Sequence, residues 1–113
     1  INMFGINGLK EKLEQAQVKA EETKKRLDSV HVEGTSGDVV RVIATGNSRI
    51  IQVMVGEPGK GLTSDELARH MLVATNNALE NARSIFEAEM GALARETMPN
   101  IPGMPNMGGL FNK

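Results

Sequence analysis

The sequence predicts an α+β fold: a helix, a three-stranded antiparallel sheet and a long second helix. Three observations predict this order. Apolar residues recur at alternating spacings of three and four over residues 6–30, β-branched runs with turn signals fill residues 30–55, and a helix-start signal opens an apolar stripe over residues 63–97. A chain of 113 residues accommodates one domain, predicted over residues 3–97. Residues 98–113 hold three of the four prolines and are predicted to form a flexible tail.

The first helix is predicted over residues 8–28, which are rich in Lys, Glu and Gln and contain no proline. The spacing of its apolar positions is that of a heptad seam. Because the middle of the seam is Ala-Ala-Thr, it buries little apolar surface alone and is expected to need a partner helix. The seam consists of Ile6, Leu9, Leu13, Ala16, Ala20, Thr23, Leu27 and Val30.

Charges on this helix are segregated around the seam. Both flanks are basic, whereas the opposite side carries an acidic stripe. One flank consists of Lys12, Lys19 and Arg26, and the other of Lys10, Gln17 and Lys24. The acidic stripe consists of Glu14, Glu21 and Asp28.

Three strands are predicted next. Val30–Glu33 alternates apolar and polar residues, and Gly34–Gly37 is a turn signal. The β-branched run Asp38–Thr45 ends at Gly46-Asn47, and Arg49–Val55 follows. Connections this short join antiparallel strands, because parallel strands need long crossovers.

The second helix is predicted to begin at a capping box, with Thr63 as N-cap and Glu66 at the third helical position. Gly91 is a candidate bend. A helix over residues 65–96 would be about 48 Å long, which exceeds the size of a compact 113-residue domain with a radius of gyration near ~13 Å. We therefore expect the helix to project and a second copy of the chain to cover its apolar stripe. The stripe consists of Leu67, Met71, Ala74, Ala78, Leu79, Ala82, Ile85, Phe86 and Leu93.

Composition excludes several classes of protein. The net charge is −1, which excludes a wholly basic nucleic-acid binder but allows a local basic surface. The absence of Cys excludes disulfide scaffolds and Cys-ligated zinc sites. No apolar run approaches the ~20 residues of a membrane span, and no signal peptide is recognisable, so we expect a soluble intracellular protein without membrane partners. Ile1-Asn2 precedes the first Met and is expected to be an addition to the natural chain.

No catalytic or cofactor site is predicted. Gly56–Gly61 resembles a phosphate-binding loop, but it is too short and lacks the Ser or Thr that must follow Lys60. His31 is expected on the outer face of the sheet, and His70 has only Glu66 as a neighbour at helical spacing, which does not make a metal site. We therefore expect no enzyme activity, no cofactor and no small-molecule substrate.

The basic flanks of the first helix allow two interpretations. In one, they face acidic residues of the second helix, such as Glu80 and Glu87, in a coiled-coil-like contact. In the other, they form a ridge along nucleic-acid phosphates, with little sequence preference because no base-reading element is recognisable. The charge pattern alone favours the first interpretation.

Several short motifs follow one another along the chain, and their order is more informative than any one of them. These are Met3-Phe4-Gly5, Gln15-Ala16-Gln17, Val32-Glu33-Gly34, Ser36-Gly37, Val39-Val40-Arg41-Val42, Gly46, Ile51, Val53, Val55, Leu67, Val73-Ala74, Asn76-Asn77-Ala78 and the Pro/Gly/Met-rich tail. In this order and spacing, nearly the whole chain resembles the YbaB/EbfC family of nucleoid-associated proteins.

This resemblance implies an elongated, tweezer-like homodimer in the bacterial cytoplasm and nucleoid. It implies double-stranded DNA as partner, a part in nucleoid organisation or gene regulation, and no catalytic residues or cofactor. We expect DNA phosphates to contact Lys10, Lys12, Lys19, Lys24, Lys25, Arg26 and Arg83. The alternative is a protein–protein adaptor that acts through its heptad helices, and a third, weaker one is nucleotide binding at Gly59-Lys60.

Overall fold

The computed structural model describes residues 3–97, with side chains from residue 8 to residue 96. The described chain has the predicted order of a helix, three strands and a long helix. Its elements are α1 (Met3–Leu27), β1 (His31–Ser36), β2 (Val40–Thr45), β3 (Ile50–Val55), a short 3₁₀ helix (Glu57–Gly61) and α2 (Ser64–Thr97). The predictions for Ile1-Asn2 and for the tail lie outside the described residues.

The three strands form one antiparallel sheet in the order β1-β2-β3, as predicted. His31 pairs with Thr45 at one end of β1, and Ser36 pairs with Val40 at the other. The pairing of β2 with β3 shifts between Ile43 and Ala44, where Ile51 is the extra residue of a β-bulge.

The turn predicted at Gly34–Gly37 is wrong for its first three residues, because β1 continues to Ser36. Gly34 serves close packing rather than a turn: a Cβ there would lie closer than 3.0 Å to backbone atoms of Ala74 and Ala78. The chain turns over residues 37–39, and the φ of Gly37, +53°, lies in the left-handed region that glycine adopts freely.

The helices differ from the prediction mainly at their ends. α1 begins at Met3 rather than at residue 8, since the two glycines of its first turns cost only about 1 kcal/mol each against alanine. α2 is continuous through Gly91, the candidate bend, and ends at Thr97.

The capping box of α2 forms as predicted. The Glu66 backbone N–H donates to Thr63 Oγ1 at 3.2 Å, and the Thr63 N–H donates to Glu66 Oε1 at 3.1 Å. The Thr63 hydroxyl also donates to Glu66 Oε1, at 2.9 Å. These hydrogen bonds, first of all the one from the Thr63 backbone, hold the pKa of the Glu66 carboxyl below its usual range. The charge of Glu66 is therefore part of the helix start.

The described chain divides into two compact units. Lys25–Glu87 form one of them, and the described residues on either side form the other. The first unit contains the sheet and a buried cluster of small apolar side chains, in which β2 packs against α2. This cluster consists of Val40, Val42, Ala44, Ala74, Ala78 and Ala82, with Val32, Val39, Ile50, Leu67 and Met71 partly buried around it.

α2 covers the β1 and β2 side of the sheet and leaves β3 open. Two asparagines attach the helix to β1: Asn77 Nδ2 donates to the Thr35 carbonyl at 3.0 Å, and Asn81 Nδ2 donates to the Glu33 carbonyl at 2.8 Å. On the same face, Val42 is fully buried whereas its pairing partner Val53 on β3 is 48% exposed. One helix about 10 Å wide cannot cover three strands spaced ~4.8 Å apart.

Candidate nucleic-acid interface

All seven cations predicted to contact DNA are exposed to solvent. Six of them lie on α1 and the seventh, Arg83, lies on α2. Lys10, Lys12, Lys19 and Lys24 belong to one unit, and Lys25, Arg26 and Arg83 belong to the other. Because each side chain reaches solvent, each is accessible to a phosphate.

The apolar seam of α1 is only partly covered. Leu9 is 42% exposed and Leu13 is 54% exposed, whereas Ala16, Ala20 and Thr23 are half-buried. Within the unit Lys25–Glu87, Leu27 is fully buried. The N-terminal part of the seam thus exposes apolar surface to solvent.

A hairpin joins the end of α1 in a way that the sequence pattern does not predict. The Gly46 N–H donates to the carbonyls of Leu27 and Val30 at 3.0 and 2.9 Å, and Asn47 Nδ2 donates to Asp28 Oδ1 at 2.6 Å. The tip of the β2–β3 hairpin is thereby held against the last turn of α1. Arg49, which follows the tip, is not among the site residues predicted from the sequence.

The sequence carries only a local signal for this arrangement. Gly46-Asn47 marks a hairpin turn, and no pattern indicates what the turn contacts. A Cβ at Gly46 would lie 2.8 Å from Leu27 Cδ2, so a larger residue there would have to displace the buried Leu27 side chain. This constraint comes from packing between residues that are distant in the sequence, so local periodicity does not predict it.

The loop that resembles a phosphate-binding motif folds into the 3₁₀ helix Glu57–Gly61. Lys60 Nζ donates to Glu57 Oε1 at 2.7 Å, and Gly59 is buried against Val39 and Val55. The lysine ammonium is thus engaged by a neighbouring carboxylate, and the glycine packs against the sheet instead of cradling an anion.

The two histidines occupy different settings. His31 is exposed at the start of β1, in agreement with its expected place on the outer face. His70 Nδ1 is hydrogen-bonded to Ser36 Oγ at 2.8 Å, which links α2 to the end of β1. Within the described residues, no group of three or more His, Cys, Asp or Glu side chains is arranged to hold a metal ion.

No helix in the described part of the chain combines the length and the apolar character needed to cross a bilayer.

A first helix with exposed cations, a three-stranded antiparallel sheet and a second long helix define an α+β protein of the α–β–β–β–α type. The chain belongs to the YbaB/EbfC DNA-binding family, whose family model matches residues 3–98. The resemblance seen in the sequence motifs is therefore confirmed.

Three relatives that match most of this chain are named nucleoid-associated proteins. A nucleoid-associated protein of Flavobacterium johnsoniae is 36% identical over 105 residues, covering 90% of this chain and 96% of its own. A nucleoid-associated protein of a Caulobacter species is 31% identical over 113 residues, covering 96% and 95% of the two chains. A third, from Thermodesulfovibrio yellowstonii, is 34% identical over 85 residues, covering 73% and 72%.

Proposed function

We propose that this protein binds double-stranded DNA with little sequence preference, through phosphate contacts made by the exposed cations of α1. The observation that carries the proposal is the six exposed Lys and Arg side chains on this one helix of a DNA-binding-family chain. Phosphate contacts fix position without reading bases, and this basic helix carries no aromatic residue over Leu9–Leu27 for base stacking. We further propose that the protein acts at the nucleoid, where it contributes to chromosome organisation and gene regulation.

The first test reverses the charge of one flank of α1 in the variant K12E/K19E/R26E. For each phosphate that the helix no longer binds, the magnitude of the slope of log K against log salt should fall by about 0.9. Gel-shift titrations on unrelated duplexes at several salt concentrations should show weaker binding to all of them, without a change in rank order.

The matched control is R41E/K60E/R69E, which changes the net charge equally but leaves α1 intact. Arg41 and Lys60 form exposed ion pairs, with Glu33 at 3.1 Å and Glu57 at 2.7 Å, so their replacement should cost little stability. Equally weakened binding in both variants would show that net charge, and not the α1 flank, governs affinity.

The alternative function is a protein–protein adaptor that docks through the heptad seam, and the exposure of Leu9 and Leu13 supports it. Salt separates the two functions: DNA binding falls steeply with ionic strength, whereas apolar helix docking does not. Failure of the wild-type protein to shift any duplex at low salt would reject DNA binding and leave the adaptor.

We also propose a homodimer. Besides the seam of α1, an apolar surface beside β3 supports this state: Val53 is 48% exposed and Leu72 on α2 is 63% exposed. By the period of the helix, Leu72 and Leu79 lie on the flank of α2 opposite the asparagines that bind β1. Multi-angle light scattering at micromolar concentration should give about twice the chain mass of 12.2 kDa. A monomer at every concentration would reject the dimer.

A further inference from the structure

The two ends of the sheet carry opposite charge. At the end where α1 joins the sheet, residues 25–30, which are the last turn of α1 and its connection to β1, and the β2–β3 connection over residues 46–49 contain three basic residues and one acidic residue. At the opposite end, the β1–β2 connection and residues 56–69, which include the start of α2, contain two basic residues and four acidic residues. A polyanion is therefore attracted to the first end and repelled from the second.

The basic end is assembled from two segments that are distant in sequence. Lys25 and Arg26 come from the last turn of α1, and Arg49 comes from the β2–β3 hairpin. The contacts of Gly46 and Asn47 with the end of α1, described above, bring these segments together. We call Lys25, Arg26 and Arg49 the basic corner.

The hairpin tip is held in one conformation. The buried hydroxyl of Thr45 accepts the N–H groups of Asn47 and Arg49, each at 3.3 Å, and the Thr45 N–H donates to the Arg49 carbonyl at 2.8 Å. Ser48 adopts a φ of +64°, a conformation that non-glycine residues adopt only when the surrounding contacts impose it. The backbone at Arg49 is thus fixed, whereas its side chain is exposed.

The single acidic residue of this end is partly engaged. Asp28 Oδ1 accepts the 2.6 Å hydrogen bond from Asn47 Nδ2, so the carboxylate is oriented toward the hairpin tip. The Asn47 side chain, which joins the hairpin to the end of α1, therefore also fixes the position of the Asp28 carboxylate.

We propose that the basic corner is a phosphate-binding site in which Arg49 contacts the DNA backbone beyond the C-terminal end of α1. The inference rests on the proposed DNA binding and extends its surface to a residue outside both helices. An arginine guanidinium binds phosphate oxygens in a bidentate manner, and its position on a fixed turn lowers the entropy cost of binding.

The test compares R49Q with R69Q. Both variants remove one positive charge from the same unit, but Arg69 lies near the start of α2, at the acidic end of the sheet. R49Q should lower the magnitude of the salt slope by about 0.9, which corresponds to about eightfold weaker binding at 0.1 M salt. R69Q should leave the slope unchanged, and R49K should retain most of it.

A second pair of variants tests for tighter DNA binding, which cannot result from unfolding because an unfolded variant would bind more weakly. D28N removes the acidic charge of the basic corner while an amide oxygen still accepts from Asn47, and it should tighten binding about twofold. D38N removes a charge at the opposite end and should not tighten DNA binding.

The outcomes separate the two proposals. If R49Q binds DNA like R69Q and D28N binds it like D38N, while the wild type binds DNA, the basic corner is rejected and the proposed function stands. If the wild type binds no duplex, the proposed function itself fails.

Discussion

At the scale of single residues, Gly34 sets the distance between β1 and α2. It is the point at which the strand backbone approaches the backbone of Ala74 and Ala78, and a Cβ has no room there. Since the obstructing atoms belong to the backbone of a buried helix face, they cannot move aside as a flexible side chain would. The alanines of the core allow the same close approach of α2 to the sheet, because their side chains are small.

We predict that Gly34→Ala destabilises the protein by about 3 kcal/mol or more, because overpacking here must displace a helix from a sheet. Chemical denaturation monitored by circular dichroism measures the change in the free energy of unfolding. Gly8→Ala is the matched control: a Cβ at Gly8 meets nothing within 4 Å, so this variant should be neutral or more stable by up to about 1 kcal/mol. Similar effects of both substitutions would contradict the close packing.

At the scale of elements, α2 begins at a hydrogen-bonded carboxylate whose pKa is lowered on folding. A lowered pKa in the folded state means that the ionised carboxylate stabilises the fold. This contribution is present above the unfolded value of 4.5 and is lost as the pH falls through the lower, folded value. The sign follows because the unfolded chain binds the proton more tightly than the folded chain.

We predict that Glu66→Gln flattens the acid side of the stability profile. The amide oxygen still accepts from Thr63, but its side chain does not titrate, so the wild type should lose stability below pH 4.5 more steeply than the variant. Thermal melts between pH 6 and pH 3 measure the difference. Glu57→Gln, which removes a carboxylate from an exposed ion pair outside α2, serves as the control. Parallel profiles for wild type and Glu66→Gln would contradict the prediction.

The elements show what the sequence could predict. Periodicity found both helices and all three strands, and the capping box placed the start of α2 correctly, because these features depend on neighbours within a few residues. The extent of β1 was not predictable, since Gly34 has the same local signature in a turn and at a close approach. The place of Arg49, which we propose as a further phosphate contact, was not predictable for a related reason. It depends on hydrogen bonds from Gly46 and Asn47 to residues at the end of α1, which are distant in the sequence.

At the scale of the whole molecule, exposed apolar side chains occur in both units, Leu13 in one and Val53 and Leu72 in the other. The buried cluster of the sheet unit is small, since its buried members are all Val and Ala. Such a core leaves a modest margin of stability for a single chain, and association would add to it.

We predict that the thermal unfolding midpoint rises with protein concentration, because association stabilises the folded chain by mass action. Differential scanning fluorimetry over a hundredfold range of concentration measures the shift. The variant Leu72→Gln should reduce the shift, whereas Leu62→Gln, at a half-buried position outside the surface beside β3, should lower the midpoint without removing its dependence on concentration. A midpoint independent of concentration in the wild type would contradict dimerisation.

β3 is an edge strand in the described sheet, and its six residues, Ile-Ile-Gln-Val-Met-Val, carry no charge. Neither lysine nor proline protects this edge, and a short, uncharged β-branched segment of this kind is a template for strand addition between molecules. Only the bulge at Ile51 interrupts its regular pairing pattern. A chain in which this edge is uncovered is open to aggregation by strand addition, and placing a lysine at Gln52 would oppose it.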